Sequence, residues 1–191
     1  TQQNILCNSA STGSVNLNPT GGTPNFSYVW SPVVSNTVTA VNLPAGSYNY
    51  TVTDALGCTS PGTVTITQPP AATLTIVSTS VTCNGACDGT ATGNMSGGTL
   101  PYTYIWTPAA PSASLITSLC PNTYTLKVTD GNGCIITKTT SITQPTPISV
   151  VITSVSPTCN GQCNGSINAV PSGGTAPYTY TLQPTAGAAI T

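Results

Sequence analysis

Cys7, Cys83 and Cys159 stand 76 residues apart each time, and the pairs Gly21-Gly22, Gly97-Gly98 and Gly173-Gly174 keep the same offset. The register runs on without a gap. Tyr28, Tyr104 and Tyr180 match, as do Trp30 and Trp106, and Val52-Thr53-Asp54 through Gly57-Cys58 matches Val128-Thr129-Asp130 through Gly133-Cys134. Gln68-Pro69 matches Gln144-Pro145. A self-similar period of this length marks a folding unit copied in tandem, so any fold for the chain must be a fold for one repeat. The expected division is a first repeat over 1–69, a second over 70–145 and the first half of a third over 146–191. Thr191 aligns with Leu115, and half a repeat cannot bury a core by itself. Further chain or a neighbouring molecule is expected to complete it.

Inside one repeat the hydrophobic period is two, which predicts strands and not helices. In Tyr102-Thr103-Tyr104-Ile105-Trp106 the aromatic rings share one face, as Phe26, Tyr28 and Trp30 do in the first repeat. Those rings are expected to face the core. Tyr48, Tyr50 and Val52 recur as Tyr124, Leu126 and Val128, with Asn49, Thr51 and Thr53 pointing the other way. Turn signals separate the runs: the Gly-Gly-Thr-Pro sequence at Gly21, Pro44-Ala45-Gly46, and Asp130-Gly131-Asn132-Gly133. Six or seven short strands per repeat suit an all-β, immunoglobulin-like sandwich. The Leu43 to Tyr48 segment fits either a tyrosine corner, whose hydroxyl ties a turn to the next strand, or a plain core tyrosine.

Composition then narrows function. The 191 residues hold five charged side chains, Asp54, Asp88, Asp130, Lys127 and Lys138, with no histidine and no arginine. The chain lacks the commonest general base, the commonest metal ligand and the bidentate phosphate clamp, so no enzyme, cofactor or nucleic-acid partner is expected. A Ser or Thr nucleophile would have no base. Asp54 and Asp130 precede turns and are expected to cap backbone N–H groups; Lys127 and Lys138 are expected to be solvated. Hydroxyls replace the charges, with 37 Thr and 20 Ser. No apolar run approaches the roughly 18 residues of a membrane span. No secretion signal stands at Thr1, so any such signal is expected upstream or removed.

The succession Gly97 to Trp106, a Leu-x-x-x-x-Tyr corner, Val128 to Cys134 and Ile142 to Pro145 resembles the SprB-type repeat of gliding Bacteroidetes surface adhesins. The resemblance implies an extracellular, repetitive, adhesive or filament-forming role and brings no catalytic residues. Leu182 stands where the repeat has tryptophan, and Cys87 and Cys120 are additional to its usual cysteine pair.

Eight cysteines in a secreted chain read as a disulfide framework. Repeat register is expected to pair Cys7 with Cys58 and Cys83 with Cys134. Cys87 and Cys120 are absent together from the first repeat, where Ser11 and Pro44 stand, and are expected to bond each other. Cys159 and Cys163 are left either to partners beyond Thr191 or to one another. A zinc site at Cys83-x-x-x-Cys87 or Cys159-x-x-x-Cys163 is disfavoured, since the first repeat keeps only Cys7 of the motif and no histidine completes a set. Three acids are too few for a clustered calcium site. Asn25, Asn49, Asn94 and Asn164 each begin an Asn-x-Ser/Thr sequence, leaving glycosylation open. The expected function is a stalk or fibre segment with end-to-end neighbours, located at the cell surface. The alternative is a carbohydrate-binding sandwich module.

Overall fold

The computed structural model describes residues 1–108 and 111–183, so the end of the expected third segment, 184–191, lies outside the described residues. All regular elements among the described residues are strands. They are β1 (Gln2–Gln3), β2 (Gly13–Asn16), β3 (Ser27–Ser31), β4 (Thr39–Leu43), β5 (Gly46–Thr53), β6 (Thr59–Ile66) and β7 (Thr73–Thr79), followed by β8 (Gly89–Ser96), β9 (Thr103–Thr107), β10 (Leu115–Leu119), β11 (Asn122–Thr129), β12 (Ile135–Ile142), β13 (Ser149–Val155) and β14 (Ser166–Ser172). The ends of β3, β4, β5, β6 and β7 recur at β9, β10, β11, β12 and β13 after the same 76 positions that relate Cys7 to Cys83. The backbone thus obeys the period read from the side chains.

The first repeat forms two three-stranded sheets, ordered β1-β2-β4 and β3-β5-β6. In the second sheet Tyr28 lies opposite Val52 and Trp30 opposite Tyr50. The Trp30 and Tyr50 rings pack at 5.5 Å. The second repeat's strands run β10-β8-β7 and β12-β11-β9. There Tyr104 lies opposite Val128 and Trp106 opposite Leu126. Alternation puts Tyr124, Leu126 and Val128 of β11 inside and leaves Thr123 and Lys127 exposed. The sheets meet face to face over glycines. A Cβ at Gly13 would come within 2.6 Å of Ile66, and one at Gly89 within 2.7 Å of Ile142, so only glycine fits where the sheets approach most closely. The fold is a tandem immunoglobulin-like β-sandwich.

The core repeats as faithfully as the strands. Ile5, Val15, Trp30, Ala40, Leu43, Tyr48 and Ile66 form the buried cluster of the first repeat. The seven positions one period later, Val81, Ala91, Trp106, Ile116, Leu119, Tyr124 and Ile142, are all buried too. Val15 pairs with Ala40 across β2 and β4; at the equivalent positions the small and large partners exchange, as Ala91 and Ile116. With Val81 standing in for Ile5, the three positions carry the same set of side chains in both repeats, so the core volume is conserved, as dense interiors require. Leu74 on β7 is buried as well, whereas β1 supplies only the counterpart of the last two residues of that strand.

By packing, the described residues fall into two compact units. One holds Thr1–Val77, Thr92–Ser114 and Thr125–Thr139; the other holds Ser78–Ala91, Leu115–Tyr124 and Thr140–Thr191. This partition cuts through the second repeat and is distinct from the 76-residue period. In the second unit β13 and β14 pair along seven residues, yet almost every side chain on them is exposed.

Two polar tethers fix the interior aromatics. Trp30 and Trp106 donate their indole N–H groups to the carbonyls of Thr37 and Ala113, at 3.1 and 3.0 Å. The Tyr48 hydroxyl donates to the Pro44 carbonyl at 2.9 Å, and that of Tyr124 to the Cys120 carbonyl at 3.1 Å, so both tyrosines close the corner before their strands. Trp106→Ala should cost about 3–5 kcal/mol in urea unfolding without reductant. Tyr48→Phe and Tyr124→Phe, which remove only the corner bond, should each cost about 1 kcal/mol. An unchanged midpoint in both phenylalanine variants would mean that the corner hydroxyls add nothing.

Candidate functional site

The residues that carry this protein's chemistry lie at the two opposite ends of each repeat: a turn between β5 and β6, or β11 and β12, at one end, and at the other a loop before β2 or β8, beside Gln68-Pro69 or Gln144-Pro145 past the far end of β6 or β12. The turn begins with an aspartate. Asp130 Oδ1 accepts the backbone N–H groups of Asn132 and Cys134, both at 2.9 Å, and Oδ2 accepts that of Thr99 at 3.0 Å. Asp54 repeats the pattern with Leu56, Cys58 and Thr23 at 3.0, 2.9 and 3.0 Å. One carboxylate therefore satisfies donors from its own turn and from the Gly-Gly turn across the sandwich end. Gly57 and Gly133, with φ of 82° and 84°, supply the left-handed residue that aims the following cysteine.

Hydrogen bonding controls the ionisation of these acids. Burial alone would raise the Asp130 pKa, but the N–H donors of Cys134, Thr99, Asn132 and Gly133 outweigh it and hold the carboxyl below the ordinary aspartate range. Asp54 is lowered by the Thr23 and Cys58 N–H groups first. Asp88 is lowered chiefly by the Thr82 hydroxyl, which donates to Oδ2 at 2.5 Å while the Thr82 N–H donates to Oδ1 at 3.0 Å.

The loop carries the other cysteine and is clamped by side chains that sequence reasoning missed. Asn8 Nδ2 donates to the Pro69 carbonyl and Asn84 Nδ2 to the Pro145 carbonyl, each at 2.9 Å. Gln68 Oε1 accepts the Ser9 N–H at 2.8 Å, and Gln144 Oε1 accepts the Gly85 N–H at 2.9 Å. The signal was present, because Cys-Asn and Gln-Pro recur together in every complete repeat. In the second and third repeats Thr82 with Asp88, and Thr158 with Asn164, close the same loop.

The structure corrects the expected pairing of Cys7 with Cys58 and of Cys83 with Cys134. Cys7 bonds Cys134, with Cα atoms 5.6 Å apart and 127 residues between them in sequence. The physical reason is docking: the turn of the second repeat rests on the loop of the first, where Asn132 Nδ2 donates to the Leu6 carbonyl at 2.9 Å. Sequence register relates equivalent cysteines but does not choose between a partner in the same repeat and one in the next. Cys87 and Cys120 are bonded to each other across 33 residues. Closing these loops stabilises by roughly 5 and roughly 4 kcal/mol in a loop-entropy treatment. Cys58, Cys83, Cys159 and Cys163 are free and exposed.

The remaining candidates are surface positions. Asn25, Asn49, Asn94 and Asn164 are all exposed; Asn49 accepts a hydrogen bond from Thr63 at 2.8 Å and Asn164 donates to Thr158 at 2.8 Å. Lys127 is exposed. Lys138 is exposed as well, and it also donates its ammonium to the Leu74 carbonyl at 3.3 Å. Among the described residues no three His, Cys, Asp or Glu side chains converge, and no helix is long and apolar enough to cross a membrane.

All three aspartates have depressed folded-state pKa values, so the stability they contribute is complete above the unfolded aspartate pKa of about 4 and is lost as pH falls through the folded values. Thermal melts should be flat from neutral pH down to roughly pH 5 and fall steeply below it. Asp130→Asn should reduce that acid limb, leaving the part due to Asp54 and Asp88, and lower the neutral-pH melting temperature more than Asp54→Asn, since Asp130 is buried and Asp54 is not. An unaltered acid limb in Asp130→Asn would sink the assignment.

Comparison with curated proteins finds no match. Among solved structures, an amphioxus IgVJ-C2 molecule aligns with 69% of this chain and 95% of its own, at 14% identity and a TM-score of 0.34, too distant to bear on fold or function. The SprB repeat profile matches three times, over residues 1–35, 75–111 and 151–187, at the spacing of the internal period. With more than half of its residues matched, the chain belongs to the SprB repeat family.

Proposed function

We propose that the chain is a structural segment of an extracellular surface protein, a stalk or fibre building block whose repeats are strung end to end. The observation that carries this reading is the Cys7–Cys134 bond, which ties the loop of one repeat to the turn of the next. A surface-protein repeat module so linked resists extension along the chain. The surface agrees: with two lysines and three aspartates in all, little charge repulsion opposes lateral or end-to-end association. Filament neighbours and glycans on Asn25, Asn49, Asn94 or Asn164 belong to the same proposal.

The third repeat supports end-to-end continuation. Val150 and Ile152 of β13, Ile167 of β14, and Tyr180 and Leu182 are between 53 and 69% exposed. They line an open apolar cleft of about 750 Å³. Of their counterparts in the second repeat, Leu74, Ala91 and Trp106 are buried and Ile76 and Tyr104 are half-buried. The strands corresponding to β10, β11 and β12, in a following repeat or a neighbouring molecule, are the matching cover, each Å² of apolar surface so buried contributing about 25 cal/mol.

A carbohydrate-binding module is the weaker reading. Such a module presents aromatic rings outward, whereas Trp30, Trp106, Tyr48 and Tyr124 are buried and are tethered inside the sandwiches. Negative-stain microscopy of native material should reveal extended particles, with intact mass above the polypeptide value where glycans are attached. Compact monomers with the third-repeat face bare, or specific polysaccharide retention by the isolated chain, would overturn the proposal.

A further inference from the structure

We propose that Cys58 and Cys83 are the two open ends of a disulfide ladder in which the loop cysteine of every repeat bonds the turn cysteine of the repeat that follows. The inference rests on the array reading above and deepens it by assigning the bond that joins one repeat to the next. The Cys7–Cys134 separation of 127 residues is one 76-residue period plus 51, and 51 is the spacing from Cys7 to Cys58 and from Cys83 to Cys134 within a repeat. Moving the observed bond forward by one period pairs Cys83 with the turn cysteine 76 positions beyond Cys134. Moving it back by one period pairs Cys58 with the loop cysteine of a preceding repeat. Both thiols are exposed and unbonded.

The half-sites are built whether or not the bond is present. At the turn, the Asp54 carboxylate holds the N–H groups of Leu56 and Cys58 just as Asp130 holds those of Asn132 and Cys134. At the loop, the Ala10 N–H donates to the Cys7 carbonyl, Ala86 to Cys83 and Gln162 to Cys159, at 3.1, 3.1 and 3.2 Å. The Asn8 and Asn84 clamps are also alike. The atom that receives the docking turn is the backbone carbonyl of Leu6, and Thr82 offers a backbone carbonyl at the equivalent position. Free Cys58 and free Cys83 thus stand in the same backbone frames as the bonded pair, with Leu56 in the place of the Asn132 side-chain donor at the Cys58 turn.

Bond formation needs an oxidant, and a small-molecule disulfide of the glutathione class suffices. One cysteine thiolate attacks it and expels a thiolate; the partner cysteine thiolate attacks the mixed disulfide and expels the second. The two protein thiols lose two electrons and two protons in total, and the small disulfide is reduced to two thiols.

The test uses the 191-residue chain and the same chain extended after Thr191 by a second copy of residues 116–145, which continues the register and supplies counterparts of Cys120 and Cys134. Both are oxidised with glutathione disulfide, alkylated without denaturant and mapped without reduction. In the 191-residue chain Cys7–Cys134 should be recovered and Cys58 and Cys83 should carry the label. In the extended chain Cys83 should lose its label and appear linked to the added counterpart of Cys134, while Cys58 stays labelled. A bond from Cys163 to the added counterpart of Cys120 reports that the third repeat has folded. Recovery of Cys7–Cys58 in either protein, or a labelled Cys83 beside a formed Cys163 bond, overturns the ladder. Should the extension not fold, mapping of the native polypeptide decides, because Cys58 must there be joined to a loop cysteine of another repeat and not to Cys7. A ladder found in material without extended particles would refute the array reading and leave this inference standing.

Discussion

Three backbone N–H groups, from Thr99, Asn132 and Cys134, converge on the Asp130 carboxylate, and the end of the repeat is arranged around that convergence. The turn donors, left without such an acceptor and shielded from water, would each cost a good part of a hydrogen bond. One ion meets all three, binds the turn after β11 to the turn before β9, and leaves the cysteine side chain pointing at the neighbouring repeat. Gly98 is part of the same fit, since a Cβ there would lie 2.8 Å from Asp130 Oδ2. Two of the five charged side chains in the chain, Asp54 and Asp130, perform this task.

The interior is held by other means. Seven buried positions recur with conserved volume, and the tryptophan and tyrosine rings keep their polar atoms paired to backbone carbonyls. Among the described residues no buried side-chain nitrogen or oxygen lacks a partner. A core of this kind tolerates a surface of Thr and Ser, because nothing inside it depends on ion pairs. Outward hydroxyls bond one another across strands, as Ser47 does with Thr65 and Thr123 with Ser141. The covalent ties then act where sandwiches end, at the loops, and not through the core.

Much of this was legible in the residues. Strict alternation in Tyr102 to Trp106 and Tyr124 to Val128 announced two strands with one buried face, and the 76-residue period foretold where the second set of strands would begin and end. Asp54 and Asp130 ahead of glycine turns announced capping. What stayed hidden was long-range choice. Cys58 and Cys134 are equivalent by register, but β6 separates Cys58 from the Cys7 loop, which is held beside Gln68 and Pro69, whereas Asn132 docks the Cys134 turn on the Leu6 carbonyl. The Lys138 contact with Leu74 was hidden for the same reason, since it depends on which strands become neighbours. Periodicity fixes what is alike among repeats; it is silent on which copy touches which.

The aspartate-held turns can be observed directly, because the three acidic side chains of the chain are all aspartates. Carboxyl-carbon NMR of the oxidised protein across an acid titration resolves each one. Asp54, Asp88 and Asp130 should all titrate below the ordinary aspartate range, with Asp130 held low despite its burial because hydrogen-bond donors surround its charged form. A value for Asp130 at or above the ordinary range would mean that burial prevails, that the three N–H groups do not converge on it in solution, and that the turn presenting Cys134 is not built as described.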